Sequence, residues 1–119
     1  MHAPVADFDL LRAAYDASTA RDLDVTPKVG LIRSGASFAS PRPALTQRRA
    51  DYGVLAVEME ASALYTLAAQ FKRRALAVCT VSDHIVTGEH TSAQERQETF
   101  ADMVGIALDA MLAVGATVG

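Results

Sequence analysis

The chain has 119 residues, half of them hydrophobic and 21% charged, with a net charge of −3. That composition fits one soluble globular domain large enough to bury a core of its own. It argues against a nucleic-acid binder, because basic clusters such as Gln47-Arg48-Arg49 are short and form no stripe, that one reading as a solvated helix face.

No apolar run approaches the ~20 residues needed to span a bilayer, and no charged-then-apolar signal peptide opens the chain. Cys79 lies in an apolar run and is expected to be a small buried hydrophobe. As a single cysteine it cannot form an internal disulfide, which fits a reducing cytoplasm.

Asp7 to about Ala20 carries Phe8, Leu11, Ala14 and Tyr15 at helical spacing, with Asp7 or Asp9 as N-cap. Val25 to Ile32, with Pro27 near its start, reads as a strand. Ser34 to Pro43 reads as a loop, and Ala44 to Tyr52 as a short helix ending at Gly53. Val54 to Val57 is a short strand, and Met59 to Phe71 a helix rich in alanine and leucine. Arg74 to Ser82 has the β-branched content of a buried strand. Ser92-Ala93-Gln94-Glu95 fits a capping box. Behind it, Phe100, Met103, Val104, Ala107, Leu108 and Met111 follow at helical spacing, interrupted by Gly105, which costs up to ~1 kcal/mol against alanine. Strands alternating with helices predict an α/β sheet layered by helices.

The apolar run ending in Ser82-Asp83 sets a carboxylate at a strand's carboxyl end, where open α/β sheets bind ligands. A buried Asp83 could hold a proton near neutral pH and act as a general acid; the plain alternative is an aspartate capping a loop. Glu58 and Glu60, two apart on an extended segment, would point to one side and could grip a diol. Alternatively both simply sit at a helix N-terminus, where the macrodipole favours acids, with Met59 filling a gap. Arg96 reads as surface charge or as a residue carried inward by the loop from Asp83 to Ser92. Phe38 could stack on a planar ligand or pack on the core. His84 and His90 lack metal-ligand spacing, so no metal is expected. Neither a phosphate-binding glycine loop nor a Ser-His-Asp context is present.

Taken jointly, these segments resemble a known family. Val57-Glu58-Met59-Glu60-Ala61, Cys79-Thr80-Val81-Ser82-Asp83-His84-Ile85 and the tail through Glu95-Arg96-Gln97 to Thr99-Phe100 are similar to signatures of bacterial hexameric (DeoD-type) purine nucleoside phosphorylases. The likeness runs from about Ala6 to Leu112. The Glu95-Arg96-Gln97 tail separates it from related nucleosidases, and the Ser-Asp segment from uridine phosphorylases.

The resemblance implies an α/β protein, part of a phosphorylase/hydrolase-like three-layer α/β/α fold with a mixed central sheet. It also implies a homohexamer that carries out reversible phosphorolysis of purine (deoxy)ribonucleosides to free base and (deoxy)ribose 1-phosphate. Phosphate would be co-substrate, with no cofactor. By the same resemblance Asp83 would protonate N7 of the purine and Arg96 would assist it. Glu60 would hold the ribose hydroxyls, Met59 would pack on the sugar and Glu58 would support that segment. Phe38 would stack on the base, with Ser82 nearby.

Subunits of that family are about twice as long, so residues 1–119 correspond to a single domain formed by the C-terminal half. The phosphate-binding glycine and arginines of the family belong to the other half, and none is assigned in this chain. Arg33 and Ala39 stand where the family usually has aromatic residues. The expectation is therefore a phosphorylase fragment that forms a homo-oligomer or takes a chain supplying the N-terminal half. The alternatives are a non-catalytic nucleoside-binding remnant, one part of a split enzyme, or a nucleosidase using water as nucleophile.

Overall fold

The computed structural model describes residues 3–35, 42–81 and 92–115. Asp7 opens the first helix, α1 (Phe8–Thr19), as its sequence position predicts: its backbone is extended, and the Leu10 N–H donates to its Oδ2 at 3.0 Å. The first strand, β1, covers only Leu31–Ser34. The expected strand from Val25 is thus confined to its end, because ladder pairing exists only where the second strand lies alongside. Helix α2 (Pro43–Asp51) starts on Pro43, whose missing N–H costs nothing at that position, and ends at Gly53 with φ 91°.

Strand β2 (Val54–Glu58) runs parallel to β1, so α2 is the crossover of a β-α-β unit. The register pairs Ile32 with Ala56, Arg33 with Val57 and Ser34 with Glu58, with an irregularity between Leu31 and Ile32. Gly35 prolongs the ladder by donating its N–H to the Glu58 carbonyl at 3.0 Å. Helix α3 (Ala61–Gln70) follows, two residues later than its composition predicts, because the chain bends through Met59 and Glu60. It ends in a Schellman motif: Arg73 N–H reaches Ala68 O at 2.7 Å and Lys72 N–H reaches Ala69 O at 3.2 Å.

The segment expected as the best strand corrects the sequence reading. Residues 74–81 form no sheet ladder with the described residues. Their polar groups instead meet three separate elements. Asp7 N–H donates to Ala75 O at 3.0 Å, Ala77 N–H donates to the Tyr65 hydroxyl at 2.8 Å, and the Thr80 hydroxyl donates to Thr99 O at 3.4 Å. High β propensity makes a strand only where another strand offers a partner edge.

Helix α4 (Ala93–Ala113) carries the predicted capping box: Glu95 N–H donates to Ser92 Oγ at 3.1 Å and Ser92 N–H to Glu95 Oε2 at 3.4 Å. It packs on α1 through small residues, with Ala14, Ile106 and Ala110 buried and Leu76 and Val78 packed against them. The predicted apolar stripe is mostly on the other side: Phe100, Val104, Leu108 and Met111 are exposed. The helix is apolar on more than one face, and spacing alone does not tell which face meets α1. Among the described residues no helix is long and apolar enough to cross a membrane.

Candidate active site

The Glu58-Met59-Glu60 stretch lies where β2 hands over to α3, and its geometry follows from the needs of a helix start. The first N–H groups of α3 have no partner within the helix. Glu60 is the N-cap residue, yet its own carboxylate makes no cap hydrogen bond. Glu58 does that work: its Oε2 accepts from Glu60 N–H at 2.6 Å and from Ala61 N–H at 2.7 Å. Its other oxygen, Oε1, accepts a hydrogen bond from the hydroxyl of Ser34. Ser34 Oγ in turn accepts from Ser62 N–H at 2.9 Å. One carboxylate and one hydroxyl thus satisfy three amides at the head of the helix.

The chemistry of Glu58 reflects this cradle. Partial burial pushes its pKa up. The Ser34 hydroxyl and the amides of Glu60, Ala61 and Met59 favour the charged form more strongly, and the net shift is downward. The expectation that Glu58 and Glu60 share one side of an extended strand is corrected here. The strand ends at Glu58 and the backbone turns at Glu60 (φ −127°, ψ −19°), so the two-residue period does not reach it. Glu58 turns into the α3 N-terminus, whereas Met59 and Glu60 are exposed.

Cys79 was expected to be buried, and it is exposed instead. Among the described residues, 74–81 join no sheet whose layers would cover it. Partial desolvation raises its thiol pKa first, and the negative charges of Glu58 and Glu60 raise it further. The segment is joined to α3 through Ala77, whose N–H donates to the Tyr65 hydroxyl at 2.8 Å. The same segment touches α4 through Thr80 and Thr99, one helical turn beyond Arg96. Arg96 is exposed in the first turn of α4, its N–H donating to Ser92 O at 3.0 Å.

The 74–81 segment, which leads toward Ser82-Asp83, thus meets α3 at Tyr65 and the early part of α4 at Thr99. Ser82, Asp83, His84, His90 and Phe38 lie outside the described residues. Among the described residues no group of three histidine, cysteine or acidic side chains could hold a metal ion. Ser34 is the participant that sequence reasoning missed. Its role depends on the β1–β2 register that sets it opposite Glu58, and no local motif marks it.

Comparison with known proteins agrees with the chain's motifs. The chain matches the Phosphorylase superfamily over residues 1–115. It is 56% identical over 110 residues to a "Purine nucleoside phosphorylase DeoD-type" of Brevibacillus brevis and to one of Listeria welshimeri. A Bacillus cereus protein of the same description is 54% identical over 110 residues. Each alignment covers 92% of this chain and 46% of the relative. The chain spans about half the length of the curated relatives it matches.

Proposed function

The chain belongs to the Phosphorylase superfamily, and from that premise we propose that it forms the nucleoside-side half of a purine nucleoside phosphorylase. The observation that carries this reading is the Ser34–Glu58 cradle at the head of α3. It occupies Glu58 with the Ser34 hydroxyl and two backbone amides and leaves Met59 and Glu60 exposed at the β2–α3 turn. A carboxylate held beside an apolar side chain suits a sugar diol with one hydrophobic face.

In this reading a purine (deoxy)ribonucleoside lies with its sugar over Met59 and its hydroxyls on Glu60. Phe38 stacks on the base and Ser82 lies near it. As the glycosidic bond breaks, Asp83 donates its proton to N7, so the base leaves neutral while the sugar gains oxocarbenium character. Arg96 approaches Asp83 as its charge develops, since a nearby cation favours the carboxylate over the acid. Phosphate attacks the sugar carbon and takes the place of the base, giving (deoxy)ribose 1-phosphate. Its binding groups are assigned to the part of the subunit that the relatives have beyond the matched region. The complete subunit would be a three-layer α/β/α unit with a mixed sheet, working as a homo-oligomer or with a chain that supplies the other half. The single cysteine, which needs no oxidising compartment, supports a cytoplasmic setting.

The test is cleavage of inosine and adenosine by the purified chain, alone and combined with the amino-terminal half of the Brevibacillus brevis relative, each with and without phosphate. Phosphate-dependent release of base that Asp83→Asn abolishes supports the proposal. Equal release without phosphate would point to a nucleosidase. No release from either preparation would reduce the chain to a non-catalytic nucleoside-binding remnant.

A further inference from the structure

We infer that Ser34 is a positioning residue that latches Glu58 into the head of α3 and thereby commits Glu60, not Glu58, to the ligand. The inference rests on the functional reading above and assigns a division of labour within its site.

Three observations lead to it. First, Ser34 stands opposite Glu58 in the parallel ladder, which aims a strand-terminal hydroxyl at a strand-terminal carboxylate. Second, that hydroxyl uses both of its capacities: it donates to Glu58 Oε1 and accepts from Ser62 N–H at 2.9 Å. Third, Glu58 Oε2 accepts from both Glu60 and Ala61 amides, so each carboxylate oxygen already has partners. A carboxylate so occupied is a poor acceptor for a sugar diol. Glu60, the N-cap residue, makes no cap hydrogen bond of its own, since Glu58 and Ser34 already hold the amides of residues 60–62. Removing the Ser34 hydroxyl leaves Ser62 N–H and one Glu58 oxygen without their partner. Glu58 and Glu60 then compete for the same amides, and Glu60 is drawn from the sugar toward the helix.

Two readouts test this with Ser34→Ala and Ser34→Thr. In the full chain, NMR follows the Glu58 carboxyl titration and the exchange of the Ser62 amide. Ser34→Ala is expected to move the Glu58 midpoint upward and speed Ser62 exchange, and Ser34→Thr, which keeps a hydroxyl, to restore both. In the assembly with the Brevibacillus brevis half, Ser34→Ala is expected to raise KM for inosine about tenfold. That is the scale of one hydrogen bond to a charged group. The value of kcat should change far less, because a sugar grip acts in ground and transition states alike.

An unmoved Glu58 titration overturns the inference, and so does an active assembly with unchanged KM. A fall in kcat at constant KM, the mark of fewer folded sites, overturns it as well. If no assembly cleaves inosine, the functional reading fails by itself. The titration and exchange data then still decide for or against the latch.

Discussion

The guanidinium of Arg21 lies over Gly105 where a larger residue would stand: a Cβ there would be 2.8 Å from Arg21 Cζ. From that position Arg21 Nη2 reaches Asp109 Oδ2 at 3.0 Å, tying the end of α1 to α4. The glycine that weakens the apolar pattern of α4 thus makes room for an interhelical ion pair.

Gly105→Ala sets two effects against each other. Helix propensity favours alanine by ~1 kcal/mol. The ion pair that the methyl group would displace is solvent-screened, with side chains 34% and 53% exposed, and is worth ~1 kcal/mol at most. Gly105→Ala should therefore stabilise an Arg21→Ala chain by about 1 kcal/mol and the parent by less. Urea denaturation of the four proteins measures the difference, and equal gains in both backgrounds would show that Arg21 does not sense position 105.

Lys72 holds the left-handed position of the α3 Schellman motif, with φ 55°. A side chain there costs roughly 1–2 kcal/mol relative to glycine, which has no Cβ to crowd the following carbonyl. Lys72→Gly should raise stability, by about 1 kcal/mol once the greater freedom of glycine in the unfolded chain is subtracted. A lowered denaturation midpoint would contradict the helix ending described here.

Glu58 makes folding sensitive to acid in a definite direction. Its folded pKa lies below its ordinary value of 4.5, so the unfolded chain binds the proton more readily. The resulting stability is present above about pH 4.5 and is lost as pH falls through the folded value. Glu58→Gln should flatten this acid limb of the stability-versus-pH curve. A limb of unchanged steepness would mean that other carboxylates carry it.

Cys79 tests the same charge cluster from the opposite side. Its thiol is accessible, but desolvation and the charges of Glu58 and Glu60 disfavour the thiolate. Labelling by a maleimide at pH 8 should be slower than for an unperturbed cysteine and become faster in Glu60→Gln. Identical rates in the two proteins would separate Cys79 from the β2–α3 turn.

Much of this protein was legible along the chain because it depends on near neighbours. Asp7 as N-cap, the Ser92–Glu95 capping box and the glycine ending α2 are contacts within a few residues, and they stand where sequence places them. The family signatures are also contiguous strings, so the superfamily could be read before any fold was known. The segment 74–81 is different. Its composition is that of a strand, but a ladder needs a neighbour, and that depends on what lies beside it.

Tertiary structure alone decided three further matters. Which side of the doubly apolar α4 is buried depends on where α1 settles, and α1 meets Ile106 and Ala110, leaving Phe100 and Leu108 exposed. The exposure of Cys79 depends on a covering layer that no local pattern encodes. The pairing of Ser34 with Glu58 depends on strand register, which sets a hydroxyl against a carboxylate twenty-four residues away. Local sequence specifies caps and turns because their donors and acceptors are chain neighbours. The roles of the two glutamates in the Val57–Ala61 motif are separated only when the folded chain supplies partners from a distance.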